Sequence, residues 1–378
     1  MPPLKTIRRV AAALVFAICV HPFDGVGAAD LRIGIVLDQN GITADAGRDY
    51  IAGARTWFDH INAAGGINGR RIQIVVKDDE GSPAKAVKLT RELIDQDKVA
   101  ALFGYVGDDS LLAVEADAHF RASKTVLFAP LSGAEIGTAG DSIIFVRPTY
   151  RDEVRHAISH FGQLSVTRFA VVHASNSFGR SLGSEIRAQL STNGIKPVAE
   201  IAIPFSLGGL GQVARSVIGL KPQVIIVAAD TLATAEFVKQ ARSLDNSVQI
   251  VALSIVNHRT LMELVKADLA TGTMITQVVP NPLSTHTKLQ HDHITLLAKY
   301  RDEPPSHLTL EGFMAAKAFV KLLERSARDL TRASIFAATT GSKRYDLDGM
   351  TLSFDGANDR GSRYVDIAYL RNSGKLLQ

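Results

Sequence analysis

From residue 30 onward, short runs of aliphatic and β-branched residues alternate with longer stretches in which apolar positions return every three to four residues. The first run, LRIGIVL at 31–37, is continuous and bounded by polar residues, as expected of a strand buried on both faces. Tyr50, Ile51, Ala54, Trp57, Phe58 and Ile61 then fall on one face of a helix. Gly65, Gly66 and Gly69 turn the chain into a second strand at 71–77. Ser82-Pro83 supplies an N-cap and a first-turn proline for a helix to about 97. Strands at 101–106, 125–130 and 143–146, with a helix over 110–122, complete a first unit.

The rhythm restarts after Pro148. Strands are predicted at 169–173, 198–203, 224–229, 248–253 and 273–279, and helices at 151–162, 179–192 and 231–243. Strands alternating with helices imply parallel sheets covered on both faces. The expected fold class is therefore α/β, with two Rossmann-like lobes. Helices at 285–301 and 307–328 extend the first lobe, and short strands follow at 349–354 and 364–369. Passages near Pro148, Pro280 and residue 345 would join the lobes by a three-strand hinge. The predicted division is 30–147 with 281–345 for lobe 1, and 148–280 with 346–378 for lobe 2. A cleft between hinged lobes is a place for a ligand.

Residues 1–28 change the picture of where the protein works. Lys5, Arg8 and Arg9 precede an apolar run at 10–20, which His21, Pro22 and Asp24 break before the small residues Val26-Gly27-Ala28-Ala29. This is the pattern of a secretory signal peptide, and the run is too short to span a bilayer. The expected location is the periplasm. Cys19 is the one cysteine and would leave with the signal, so neither a disulfide nor thiol chemistry is expected. The net charge of +4 loses three positives and one negative with residues 1–28, leaving +2. So small a balance points to neither nucleic acid nor a membrane surface as partner.

Motifs with catalytic potential are weak. Gly179-Arg180-Ser181-Leu182-Gly183 matches a nucleophile elbow formally, but Ser181 falls in the first turns of a helix and not directly after a strand. His286, His291 and His293 do not converge on one helix face, and His156 and His160 have Ala157 where a zincin has glutamate, so solvated helix histidines are expected. Gly208-Gly209-Leu210-Gly211 lacks the dinucleotide spacing. No cofactor and no metal are expected. What remains are loops at the carboxyl ends of strands, where open α/β sheets bind ligands. In the first lobe these lie at 38–47, 107–110 and 131–134; in the second, at 174–178, 230–231 and 256–258.

The segments IGIVLDQNGITADAG, INAAGGINGRRIQIVVKDDEGSPAKAV, LFGYVGDDS, FAPLSGAE, FVRPTYRDE, HASNSFGRSLG, QVVPNPLS, LEGFMAAKAFV and RGSRYVDI run in order along the chain. Together they resemble type I periplasmic binding proteins, the group of the leucine/isoleucine/valine-binding protein. The resemblance implies a soluble receptor that delivers a solute to an inner-membrane ABC permease, and a monomer is expected. It also implies where a ligand would be held. Asp108, in Gly107-Asp108-Asp109-Ser110, falls where the family uses a small hydroxyl residue for the ligand's α-carboxylate. The loop Ile255-Val256-Asn257 lacks the glutamate that would take the α-amino group, Asp230 stands where an aromatic hydroxyl is usual, and Ala46 replaces another tyrosine. Phe178 keeps a ring, and Leu131-Ser132-Gly133 keeps the backbone-rich loop. Tyr150, just past the first passage, is expected either to reach the ligand or to pack the lobes. Glu311 is expected to be structural.

A carboxylate facing a carboxylate is repulsive in a desolvated site. Either Asp108 faces the cleft and favours a cationic or hydrogen-bond-donating ligand, such as an amide, amine or polyol, or it turns away and caps the helix near Ser110. The expected function is capture of a small polar molecule by hinge closure, without catalysis. Two alternatives stay open: a sensor that passes ligand occupancy to a membrane receptor, and a serine hydrolase acting through Ser181.

Overall fold

The computed structural model describes residues 29–136, 142–203, 207–354 and 360–377. The first lobe runs β1 (Leu31–Leu37), α1 (Ala44–Ala63), β2 (Ile72–Asp78), α2 (Pro83–Asp95), β3 (Ala101–Phe103), α3 (Asp108–Ala116), α4 (Ala118–Ser123), β4 (Leu127–Phe128) and β5 (Ile143–Ile144). Its five strands pair in parallel in the order β2-β1-β3-β4-β5. The second lobe runs α5 (Tyr150–Gln163), β6 (Phe169–Ala174), α6 (Ser177–Thr192), β7 (Ala199–Ile203), α7 (Leu210–Gly219), β8 (Val224–Ala228), α8 (Thr231–Leu244), β9 (Gln249–Ala252), α9 (His258–Val265), α10 (Ala267–Ala270) and β10 (Met274–Gln277). These five strands repeat the same order as β7-β6-β8-β9-β10.

The chain then returns through α11 (Lys288–Tyr300), α12 (His307–Arg325), α13 (Arg332–Ala338) and the antiparallel hairpin β11 (Lys343–Asp346) and β12 (Thr351–Phe354). It ends with β13 (Asp366–Leu370) and β14 (Leu376–Leu377), both antiparallel, on the β10 edge of the second sheet. The sequence pattern missed α7, α9, α10, α13, β11 and β14. Two-residue β14 and half-exposed β11 bury too little apolar surface to leave a readable period.

Both sheets are covered on two faces. In β8, Ile225 and Val227 enter one core cluster while Val224, Ile226 and Ala228 enter the other. In β1, Ile33 and Ile35 face α1 and α12, whereas Val36 faces the side of α2 and α3. Local signals set the helix starts: the Ser82 hydroxyl accepts from Lys85 N ahead of Pro83, and Thr149 with Asp152 forms a reciprocal capping box on α5. Tyr345, Leu347 and Leu352 pack into the first core, so the hairpin belongs with that lobe. The third passage therefore comes after it, where Arg360 bridges in parallel to Phe145 of the first passage.

Helices α1 and α12 approach backbone to backbone. A Cβ on Gly53 would lie 1.9 Å from Thr309 O, and one on Gly312 would lie 1.8 Å from Tyr50 O. Only glycine fits either place. Gly312→Ala is expected to destabilise the protein by about 1–3 kcal/mol through overpacking. Gly162→Ala, in a helix with nothing near its Cβ position, is the control and should be neutral or stabilising by up to about 1 kcal/mol. Urea unfolding of both variants checks this.

The interlobe cleft as candidate ligand-binding site

In each five-strand order, the connections diverge between the first strand and its inner neighbour, β1 and β3 in one lobe and β6 and β8 in the other. Loops leaving the carboxyl ends on either side of such a point leave a crevice. The two crevices face one another across a cavity of about 140 Å³. Asp38 follows β1, Val106 to Ser110 follow β3, and Leu131 follows β4. Ala174 and Asn176 at the end of β6, Ala229 and Asp230 after β8, and Ile255 after β9 close it from the second lobe.

Asp108 lines this cavity and does not cap α3; its N-cap is Gly107, without a side-chain bond. The Ser132 hydroxyl donates to Asp108 Oδ1, and the Tyr150 hydroxyl donates to Oδ2 at 3.4 Å. Although half-buried, the carboxyl is closely surrounded by protein. Burial pushes it up to about 6, against the opposing pull of the Ser132 bond and of Arg147. Asp109 lies beside it on the cavity wall. Ser110 also borders the cavity, but its hydroxyl is turned to Asp79 Oδ2 at 2.8 Å.

Leu131 contributes apolar wall. Ser132, Gly133 and Tyr150 stand behind that wall and set the position of Asp108. Tyr150 N donates to Gly133 O at 2.7 Å, and a Cβ on Gly133 would strike the Tyr150 ring at 2.8 Å. Tyr150 therefore reaches the site through Asp108. Asp230 lines the cavity while its carboxylate caps α8, accepting from Ala233 N at 3.0 Å; burial raises its pKa. Asn257 is buried, caps α9 and donates through Nδ2 to Asp45 O of the other lobe at 3.4 Å. The side chain of Phe178 lies outside the described residues.

The loops read from the sequence include most of the cavity's lining, but Asp38, Ile42 and Asn176, all of which line it, were not singled out within them. Arg147 was missed altogether. It is fully buried at the first passage, with Nη2 3.2 Å from Glu153 Oε1 of α5 and Nε 3.6 Å from Glu311 Oε1 of α12. Ser254, after β9, accepts from Arg147 and donates to both oxygens of Glu153. Further interlobe contacts run beside the cleft: His258 Nδ1 to His307 Nδ1 at 3.2 Å, and Arg259 to Asp49 at 3.7 Å.

Ser181 is exposed within α6, one turn past the helix start, and not at a strand-to-helix elbow. His286 and His291 are exposed as expected, but His293 is not a solvated residue: it is buried, with Nε2 2.9 Å from Thr309 Oγ1 and its ring against Phe313. Burial explains it: α11 turns this position toward α12. Among the described residues no group of His, Cys, Asp and Glu could hold a metal ion, and no helix is long and apolar enough to cross a membrane.

A family model described as periplasmic binding protein matches residues 30–375. The chain belongs to the periplasmic binding protein family. It is similar to an amino acid binding protein of Pseudomonas aeruginosa, 30% identical over 197 residues, covering 51% of each chain. A Leu/Ile/Val-binding protein homolog of Brucella melitensis is 23% identical over 369 residues, covering 91% of this chain and 93% of that one. The match to the Pseudomonas protein thus spans about half of that protein's length. Among solved structures of the family, a substrate-binding periplasmic protein from Ralstonia solanacearum superposes with a TM-score of 0.86 at 25% identity, covering 92% of this chain and all of the other. The fold is shared as well with a branched-chain amino acid transporter substrate binding protein of Streptococcus pneumoniae in complex with isoleucine, at a TM-score of 0.80 and 18% identity, covering 92% and 98%.

A carboxyl raised by burial costs stability once it ionises. Stability held at low pH is lost as the pH rises through the folded-state value of about 6. Asp108→Asn is therefore expected to stabilise the ligand-free protein by roughly 1–2 kcal/mol at pH 7.5 and to flatten its stability between about pH 4 and 6. Urea unfolding at pH 5 and 7.5 measures both, and a loss of stability at pH 7.5 would show the carboxylate to be a structural acceptor instead.

Proposed function

We propose that this protein is an exported, monomeric solute-binding receptor that captures a small polar molecule between its lobes and delivers it to an ABC permease of the inner membrane. The observation that carries this reading is the cavity at the facing switch points of two sheets joined by three passages, near Arg147, Pro280 and Arg360. Ligand settles on the loops after β1, β3 and β4, and the second lobe closes over it with the loops after β6, β8 and β9. Closure is selected because only the closed form touches the ligand from both sides. The names of the family relatives, as amino acid and Leu/Ile/Val-binding proteins, support a receptor for amino-acid-like solutes, and the acidic cleft wall extends the candidates to amides, amines and polyols. The protein is proposed not to be an enzyme: its family is one of solute-binding proteins, and Ser181 lies within α6 and not at the strand-to-helix elbow of a nucleophile. Export to the periplasm is proposed on the pattern of residues 1–28 and on the family.

The test is a thermal-shift screen of the purified protein against amino acids, amides, amines, polyols and small carboxylates, followed by small-angle scattering with any hit. A ligand at 100 times its Kd should add about 2.7 kcal/mol of stability. A hit should also compact the particle, and binding without a change in dimensions would overturn hinge closure. Arg259→Ala removes an interlobe ion pair without touching the cavity. It is expected to weaken binding roughly twofold to fivefold, since partly exposed pairs contribute up to about 1 kcal/mol.

A further inference from the structure

Four of the described side chains that line the cavity, Asp38, Asp108, Asp109 and Asp230, are acidic, and no described lining residue is Lys, Arg or His. Asp45, on the α1 side, adds a fifth carboxylate against the start of the second lobe's helices, where Thr231 and Thr260 bond to it. The buried cations behind the wall are engaged elsewhere, Arg147 with Glu153 and Glu311, and Arg360 with the carbonyls of Ser132 and Ala134.

At the second-lobe helix starts, the places where an anionic ligand group would normally be held are already capped. Helix N termini bind anions through their open amides. Here Asn176 caps α6, Asp230 caps α8 and Asn257 caps α9, each accepting from the first-turn amides. In the first lobe, α1 and α3 have no side-chain cap bond, but each carries acids in its first turn, Asp45 in α1 and Asp108 with Asp109 in α3. A ligand carboxylate would meet a side-chain oxygen at every one of these five helix starts. Thr43, Ser110 and Asn176 add neutral polar groups, and the larger apolar part of the wall is Ile42, Val106, Leu131 and Ile255.

We propose that the ligand is an organic cation with an aliphatic body and no free carboxylate, an amine-type solute whose charge sits on Asp108 and whose alkyl part lies along Ile42, Val106, Leu131 and Ile255. Ser132 and Tyr150, held by Gly133, are positioning residues: they aim the carboxylate at the cavity. Asp108 is the residue that sets the preference, and the inference rests on the receptor reading above.

Calorimetric titration of the whole protein with matched compounds tests it. Leucine, leucinamide, isopentylamine and 4-methylpentanoate share one alkyl body and differ in charge. Alanine, alaninamide, ethylamine and propionate form a smaller set, with putrescine, choline, guanidinium, acetamide and glycerol alongside. At least one cation without a carboxylate should bind tenfold or more tightly than its parent zwitterion. The matching carboxylate should not bind, and Asp108→Asn should weaken the cation at least tenfold while the protein still melts cooperatively. Tyr150→Phe, which removes one donor to Asp108, should change the cation's affinity and leave any neutral ligand's unchanged. Leucine or alanine binding as tightly as its amide, binding confined to acetamide or glycerol, or full cation affinity in Asp108→Asn would each overturn the inference and leave the receptor reading standing. Silence from every class would overturn both.

Discussion

Where the chain first leaves the first sheet, Arg147 is buried completely and shares its charge with two carboxylates from different helices, Glu153 of the second lobe and Glu311 of the first. Removing a guanidinium from water costs several kcal/mol, and only well-made partners offset it. Glu153 is such a partner: it accepts from Arg147, from Ser254 N and Oγ, and from Thr276 Oγ1. Glu311 is less well served. Burial raises it to about 7 against the pull of Arg147, and its Oε2 has no hydrogen-bond partner among the described residues. One cation thus ties α5, α12 and the loop after β9 at the root of the hinge, and deleting it would strand a buried carboxylate.

The same arginine underlies the site. Its guanidinium lies 5.6 Å from the centre of the Tyr150 ring, and it lowers the pKa of Asp108 from a distance. Tyr150 is held between that guanidinium and Gly133, and its hydroxyl then fixes Asp108 together with Ser132. Cleft geometry and hinge geometry are therefore coupled through one side chain. A rotation at the first passage that moved Arg147 would move the ring, and the ring carries the carboxylate's donor.

The architecture was legible because a parallel sheet covered on both faces writes itself as continuous apolar runs, and β1, β6 and β8 are such runs. The loops of the candidate site were legible for a related reason, since ligands gather at strand carboxyl ends. What individual residues do there was not. Ser110 looked like a ligand contact, yet its hydroxyl turns to Asp79, 31 positions earlier. Asn257 looked like a cleft residue and is spent on capping α9 and joining Asp45. Arg147 gave no signal because a basic residue before proline reads as the exposed end of a strand; only the arrival of α12, over 150 residues later, makes it buried. The third passage was misplaced for the same reason: Tyr345, Leu347 and Leu352 look like a new lobe's strand until their partners in the first core are known.

The cost of the cleft's charge falls unevenly on the two states of a hinged protein. Apart, the lobes leave Asp45, Asp108 and Asp230 more open to water, whose high dielectric constant weakens the repulsion between like charges. Together, they lose that water, and burial is the leading cause of the raised pKa at all three. Closure without a ligand must therefore either protonate carboxylates or confine them, while the interlobe contacts at Asn257, His258 and Arg259 favour closing. These two tendencies oppose each other in the empty protein. A cation in the cavity removes the opposition and keeps the contacts, so under the proposed reading the acids that make the cleft unstable when empty also make closure depend on the ligand's charge.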